Sequence, residues 1–148
     1  MRTATFDTIA GLIGQELGVS EWVEITQAQV QQFADATGDH QWIHLDVERA
    51  TRELGGPIAH GFLTLSLLPM LCAETLRVEG VSRGVNYGLN KVRFTGMVPV
   101  GARVRLRDKL IAVEPRGPGL QLTRECTIET QGAERPAMVA EWVTVIYS

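Results

Sequence analysis

Two hydrophobic periods divide the chain. Through about the first half, apolar side chains recur at helical intervals; after Gly84 they alternate. Phe6, Ile9, Ala10, Ile13 and Leu17 follow a helical spacing that Gly18 would stop. Trp22-Val23-Glu24-Ile25 reads as a short strand. Thr26 is placed to cap a helix running to Thr37, with Val30, Phe33, Ala34 and Thr37 on one face and Gly38 as its end. Asp46 can cap another helix, Val47 to Leu54, which Gly55-Gly56-Pro57 breaks. From Gly61 to Leu76 almost no polar face remains, so the pattern predicts a helix buried on most sides. Pro69 should kink or restart it, because proline removes one helical hydrogen bond.

In the second half, Val104 and Leu106 alternate with Arg103, Arg105 and Arg107. Leu120, Leu122, Cys126 and Ile128 alternate with Gln121, Thr123, Thr127 and Glu129, and Arg124 breaks the series. Pro115 to Gly119 is a turn between these strands. Met138 to Tyr147 is apolar on both faces apart from Glu141 and Thr144, which predicts a central strand or one at a subunit contact. Helices first and strands last, without βαβ alternation, point to an α+β fold in which an antiparallel sheet curls around one buried helix. No repeat or linker interrupts residues 1–148, so a single domain is expected.

Charge and cysteine content narrow the function classes. Seventeen acidic against 14 basic residues leave no broad basic field for nucleic acid. The longest apolar stretch, Phe62 to Ala73, is shorter than the roughly 20 residues of a membrane span, and no secretory signal pattern opens the chain. A soluble cytoplasmic protein is therefore expected. Cys72 and Cys126 have neither metal-ligand nor redox spacing and read as reduced core residues.

The chemistry concentrates in Thr37-Gly38-Asp39-His40-Gln41-Trp42-Ile43-His44, which sets a carboxylate and an imidazole five positions apart just past a helix. Adding water to a double bond conjugated with a thioester requires a base for the water proton, an acid for the α-carbon, and a donor for the thioester oxygen. Asp39 and His44 can divide the proton work around one water. A second signal, Ala59-His60-Gly61-Phe62, opens the buried helix; the Gly61 amide has no helical partner there and no side chain to keep a thioester oxygen away. Read singly, Asp39 is a turn residue and His44 a packed histidine. His60 reads as a support for the loop before Gly61 or as a substrate contact, and His40 as an exposed loop residue. The histidines and nearby acids match no metal-ligand spacing, so no metal is expected. Lys91 and Arg93, before Phe94, suit the phosphates of coenzyme A, or are ordinary solvated strand residues.

The pattern Gly38-Asp39-x-x-x-His44 with Asp46, preceded by Phe33-Ala34-x-x-Thr37, resembles the hydratase-2 motif of MaoC-like dehydratases, the (R)-specific enoyl-CoA hydratases. Gly56-Pro57-Ile58-Ala59-His60-Gly61 resembles the same family's second block. The resemblance implies a hot-dog fold, with an antiparallel sheet wrapped around a long central helix, usually as a homodimer. It implies Asp39 and His44 as the acid–base pair, Gly61 as the oxyanion donor, and reversible hydration of trans-2-enoyl thioesters to (R)-3-hydroxyacyl thioesters. No separate cofactor is implied, because coenzyme A (or an acyl carrier protein) belongs to the substrate, as in fatty acid metabolism. The family usually carries Asn-Pro where Gln41-Trp42 stand here, a form that resembles proteins related to nodulation protein N. Gln41 would keep the amide's role in substrate binding, and Trp42 adds bulk there. Two other readings stay open: a thioesterase, which the motif disfavours, and a non-catalytic thioester-binding subunit of a heteromeric dehydratase, which Gln41-Trp42 keeps in view.

Overall fold

In a computed structural model covering residues 1–148, the elements run β1 (Arg2–Thr5), a 3₁₀ turn (Ile9–Leu12), β2 (Glu16–Val19), β3 (Val23–Glu24), α1 (Gln27–Thr37), α2 (Trp42–Leu45), α3 (Val47–Leu54), α4 (Gly61–Ser66), α5 (Leu68–Cys72), β4 (Leu76–Glu79), β5 (Arg83–Arg93), β6 (Arg103–Arg116), β7 (Gly119–Thr130) and β8 (Met138–Tyr147). The principal sheet is antiparallel, in the order β2-β6-β7-β8-β5, and β3 pairs with β6 next to β2. The alternation along β6 and β7 turns Val104, Leu106, Cys126 and Ile128 inward against α4 and α5, and Leu110 and Leu122 inward against Ile9, Leu17 and Leu76. This is the α+β hot-dog arrangement.

Three expectations need correction. The helix predicted from Phe6 to Leu17 is only the 3₁₀ turn followed by β2. Gly14 takes φ 83°, which ends the turn, and Leu17 is buried as a strand residue paired toward β6. The central helix restarts at Pro69 as expected, giving two short helices that meet at Leu67, because proline cannot donate to the ladder; the second ends at Cys72 rather than Leu76, which already belongs to β4. Nor is it buried all round, since Phe62 is 67% and Met70 49% exposed. The periodicity does not foresee β1 and β4, which form a small parallel pair outside the main sheet.

Met138 to Tyr147 is the central strand of the two options, hydrogen-bonded to β7 on one side and β5 on the other. β5 forms one edge of this sheet and β2 the other; on β5, Val85, Tyr87 and Leu89 are exposed.

The inward series of β6 and β7 each contain one charge. Asp108 interrupts Leu106 and Leu110; Arg124 interrupts Leu122 and Cys126. Asp108 is fully buried, accepts a hydrogen bond from the Thr75 hydroxyl at 2.6 Å and lies 3.4 Å from the Arg124 guanidinium. Burial pushes the Asp108 carboxyl up, against the pull of Arg124 and Thr75. This polar layer separates two apolar clusters: one around Leu68, Leu71, Leu106 and Ile128, the other around Ile9, Leu17, Leu110 and Leu122.

Candidate active site

α1 begins as predicted, with the Thr26 hydroxyl accepting from the Gln29 amide at 3.1 Å, and ends where Gly38 turns into the left-handed region at φ 85°. That turn swings Asp39 out of the helix. The next residues close a single turn, α2, which carries His44 inward until only 5% of it is exposed. Asp46 caps α3 by accepting from the Arg49 amide at 3.1 Å. The chain then returns through Ile58, whose amide donates to the Ile43 carbonyl, and enters α4 at Gly61.

His44 is held from two sides. Gln27 donates its side-chain amide to the His44 carbonyl at 2.8 Å, and the ring Nδ1 lies 2.6 Å from the Ile58 carbonyl. A carbonyl only accepts, so Nδ1 carries the proton of the neutral ring and Nε2 keeps its lone pair. Nε2 faces the Asp39 carboxylate at 3.8 Å. That separation is too long for a direct hydrogen bond and leaves Nε2 and the carboxylate as two acceptors facing one gap. The Asp39 side chain is 43% exposed, so the gap opens outward.

His60 lies behind this pair. Its ring stacks on that of His44 with centroids 3.8 Å apart, and Phe33 packs against its other side at 4.9 Å. Nε2 donates to the Asp39 carbonyl at 3.0 Å, which fixes the loop that presents the carboxylate; Nδ1 is buried without a partner. His60 precedes α4 without capping it through its side chain. Asp39, His44 and His60 come together within 4.8 Å. With His44 Nδ1 and His60 Nε2 both given to carbonyls, the ring nitrogens left with lone pairs are His44 Nε2, which faces Asp39, and His60 Nδ1, which is buried.

Gly61 and His44 border one cavity of about 550 Å³, walled also by Thr64, Phe94, Met97 and Ala137. As the first residue of α4, Gly61 has an amide without a helical partner. Its φ is not positive; what requires glycine is the Phe94 ring, which an added Cβ would meet at 3.1 Å. Gln41 is exposed, and its backbone N–H, not its side-chain amide, donates to the Asp39 carboxylate at 3.3 Å. Trp42 is half-buried under the Arg49 guanidinium, 4.0 Å from its centroid. Neither side chain borders the cavity. Lys91 and Arg93 are exposed on β5; Lys91 stands opposite Glu141, and Arg93 donates to the Val92 carbonyl at 2.7 Å. His40 is turned away from Asp39 and pairs with Asp35 at 3.0 Å, a carboxylate that holds the imidazole above its usual range.

Thr64, Phe94, Gln27 and the Ile58 carbonyl were not singled out from the sequence. Thr64 had a signal, a polar residue one turn past Gly61 in an otherwise apolar run, and it is 3% exposed on the cavity wall.

A profile for the MaoC-like domain matches residues 8–116. The chain belongs to the MaoC-like domain family. Among its relatives is 3-hydroxyacyl-thioester dehydratase Z of Mycobacterium tuberculosis, 53% identical over 93% of this chain and 94% of the relative. Nodulation protein N of Rhizobium leguminosarum bv. viciae is 44% identical over 99% of this chain and 93% of its own length. Among solved MaoC-like structures, an (R)-hydratase of A. caviae involved in PHA biosynthesis superposes with a TM-score of 0.73 at 28% identity, covering 89% of this chain and 94% of that one. No helix of this MaoC-like chain is long and apolar enough to cross a membrane.

Proposed function

We propose that this MaoC-like protein is an (R)-specific enoyl-thioester hydratase, a hydro-lyase that adds water reversibly to trans-2-enoyl thioesters. The observation that carries this reading is the open 3.8 Å pairing of Asp39 with His44 Nε2 at the mouth of a cavity that Gly61 also borders. A water donating both protons to these acceptors points its oxygen lone pair toward the substrate's C3. As the oxygen bonds to C3, one water proton passes to the pair and the π electrons move onto the thioester oxygen. The Gly61 amide stabilises that enolate. The pair then returns a proton to C2, and Asp39 and His44 end as they began. His60 and Trp42 act on this step through the loop and helix that carry the pair, and Gln41 lies beside Asp39, where it can meet the substrate. Lys91 and Arg93, exposed next to Phe94, are assigned to the coenzyme A phosphates. The hydration itself calls for no further cofactor, and a cytoplasmic location fits a thioester substrate. Hydration of crotonyl-CoA, followed by loss of the enoyl absorbance, tests the reading; a purified chain without turnover on crotonyl-CoA and longer enoyl-CoA substrates would overturn it.

Gly61 separates chemistry from packing. Gly61→Val must displace Phe94, which is 46% exposed and able to swing outward, so the melting point should fall only modestly. Turnover should fall by roughly 10²–10³, because the amide is retained but the side chain crowds the thioester oxygen away from it, at about the cost of losing one oxyanion donor. A lowered melting point with parental turnover at low temperature would remove the Gly61 amide from the site.

The same reading includes a homodimer, with β5 rather than β8 at its interface. The free edge of β5 and the exposed Val85, Tyr87, Leu89, Phe62 and Met70 form an apolar margin along one side of the sheet. Light scattering at micromolar concentration should give twice the 16.3 kDa chain mass, and Leu89→Lys should shift it toward the monomer. A parental monomer would refute the interface.

A further inference from the structure

Three cavities succeed one another along the broken central helix, the last two between it and strands β5 and β8. The catalytic cavity has Gly61 and Thr64 on its helix side, facing Phe94 and Ala137. The next, about 320 Å³, has Leu65 and Pro69 facing Leu89 and Trp142. The third, about 400 Å³, shares Pro69, Asn86 and Trp142 with the second and continues past Cys72 to Arg124 and Thr144. The broken helix thus walls all three in turn, and together they outline a groove, apolar along its middle, from the Gly61 end toward Cys72. From Gly61 to Cys72 it runs roughly 16 Å at the helical rise per residue, the span of an extended acyl chain of on the order of ten carbons.

The far end of this groove is polar. Arg124 is 9% exposed, and its only hydrogen bond is the 3.4 Å one to Asp108; its Nε is buried with no partner. Asn86 accepts from the Trp142 indole at 3.1 Å through its oxygen, which leaves its NH₂ free to donate. The Thr144 hydroxyl lines the same cavity. Three residues that carry donors therefore line one cavity, while Asp108 cancels the charge of Arg124. Such a floor suits a neutral acceptor oxygen; a methyl terminus would leave the donors unpaired, and a carboxylate would add a charge that Asp108 already supplies.

We propose that the groove seats the acyl chain and that its Arg124–Asn86–Thr144 end selects thioesters carrying a hydroxyl or carbonyl oxygen at the far end of a medium-length chain. This rests on the hydratase reading of the Asp39–His44 site, and its test does not depend on turnover. Binding of saturated ω-hydroxyacyl-CoA, octanoyl through tetradecanoyl, is measured by calorimetry against the methyl-ended isostere one carbon longer. At the matching length the hydroxyl form should bind on the order of tenfold tighter, the increment of one hydrogen bond to a charged donor. The double variant Asp108→Leu/Arg124→Met, which replaces the buried pair by apolar groups and so should keep its fold, should lose that advantage. Thr144→Val should reduce it. No preference for the hydroxyl at any length, or a preference that survives both variants, overturns the inference. Crotonyl-CoA is too short to reach Arg124, so its turnover by the parent judges the hydratase reading separately.

Discussion

Asp39→Asn should lower hydration of crotonyl-CoA by roughly 10²–10⁴, the usual contribution of a positioned acid–base group. The amide keeps the shape of the carboxylate but cannot take a proton from water, and it offers an N–H where an acceptor is required. Because the Asp39 side chain is 43% exposed, the variant should melt close to the parent. His44→Ala should lose a comparable factor for a different reason: the lone pair at Nε2 disappears. It should also melt lower, since removing a 5% exposed ring leaves a void against His60 and strips the Ile58 carbonyl of its donor. Turnover is therefore to be compared well below both melting points. Near-parental turnover in either variant would exclude that residue from the proton-transfer pair.

Arg124→Leu should destabilise the fold more than any of the active-site substitutions. It leaves Asp108 fully buried with only the Thr75 hydroxyl for company, and removing one partner of a buried ion pair typically costs about 3–5 kcal/mol. For a domain of this size that corresponds to a melting point lowered by roughly 10 °C. Without the guanidinium, burial alone pushes the Asp108 carboxyl further up. A carboxyl raised in the folded state costs stability once pH exceeds its unfolded value, and that cost grows as pH climbs toward the folded value. The variant's deficit should accordingly shrink on acidification toward the ordinary carboxylate range, where Asp108 is neutral in both states. A deficit independent of pH from neutral down to about 4, measured by denaturant unfolding, would show that Asp108 and Arg124 are not coupled in this way.

The helix starts and stops were legible because their signals are local. Thr26, Gly38 and Asp46 satisfy or release backbone groups within a few residues of themselves, and each does what its side chain or its lack of one predicts. The strands of the second half were legible for a similar reason, since alternation names the buried face without reference to a partner. What failed depended on distant contacts. Ile9, Ile13 and Leu17 match a helix on paper, but Leu17 is claimed by β6, nearly a hundred residues away, and the intervening glycines offer no resistance. The pattern of Met138 to Tyr147 left a central and an interface position both open, because strand order is a property of the sheet and no periodicity encodes it.

The site divides along the same line. Asp39, His44 and Gly61 lie in two short blocks whose spacing carries meaning, and the fold brings all three to one place. The parts that orient them are backbone carbonyls of Ile58 and Asp39, and carbonyls have no residue identity to read. Arg124 was visible as the one charge in an apolar series. Its partner was not, because Asp108 follows three alternating arginines and looks like one more member of a charged strand.

All the groups assigned to proton transfer and oxyanion binding, together with the residues that orient them, lie between Gln27 and Thr64, outside the principal sheet. The groove for the acyl chain is built by a different stretch, from Leu65 onward through β5, β7 and β8. Reaction and recognition are thus written in separate parts of the gene. Point changes in the strands are free to alter which chains are accepted while the reacting groups stay in register, and descendants of this protein can diverge in diet without having to reinvent their chemistry.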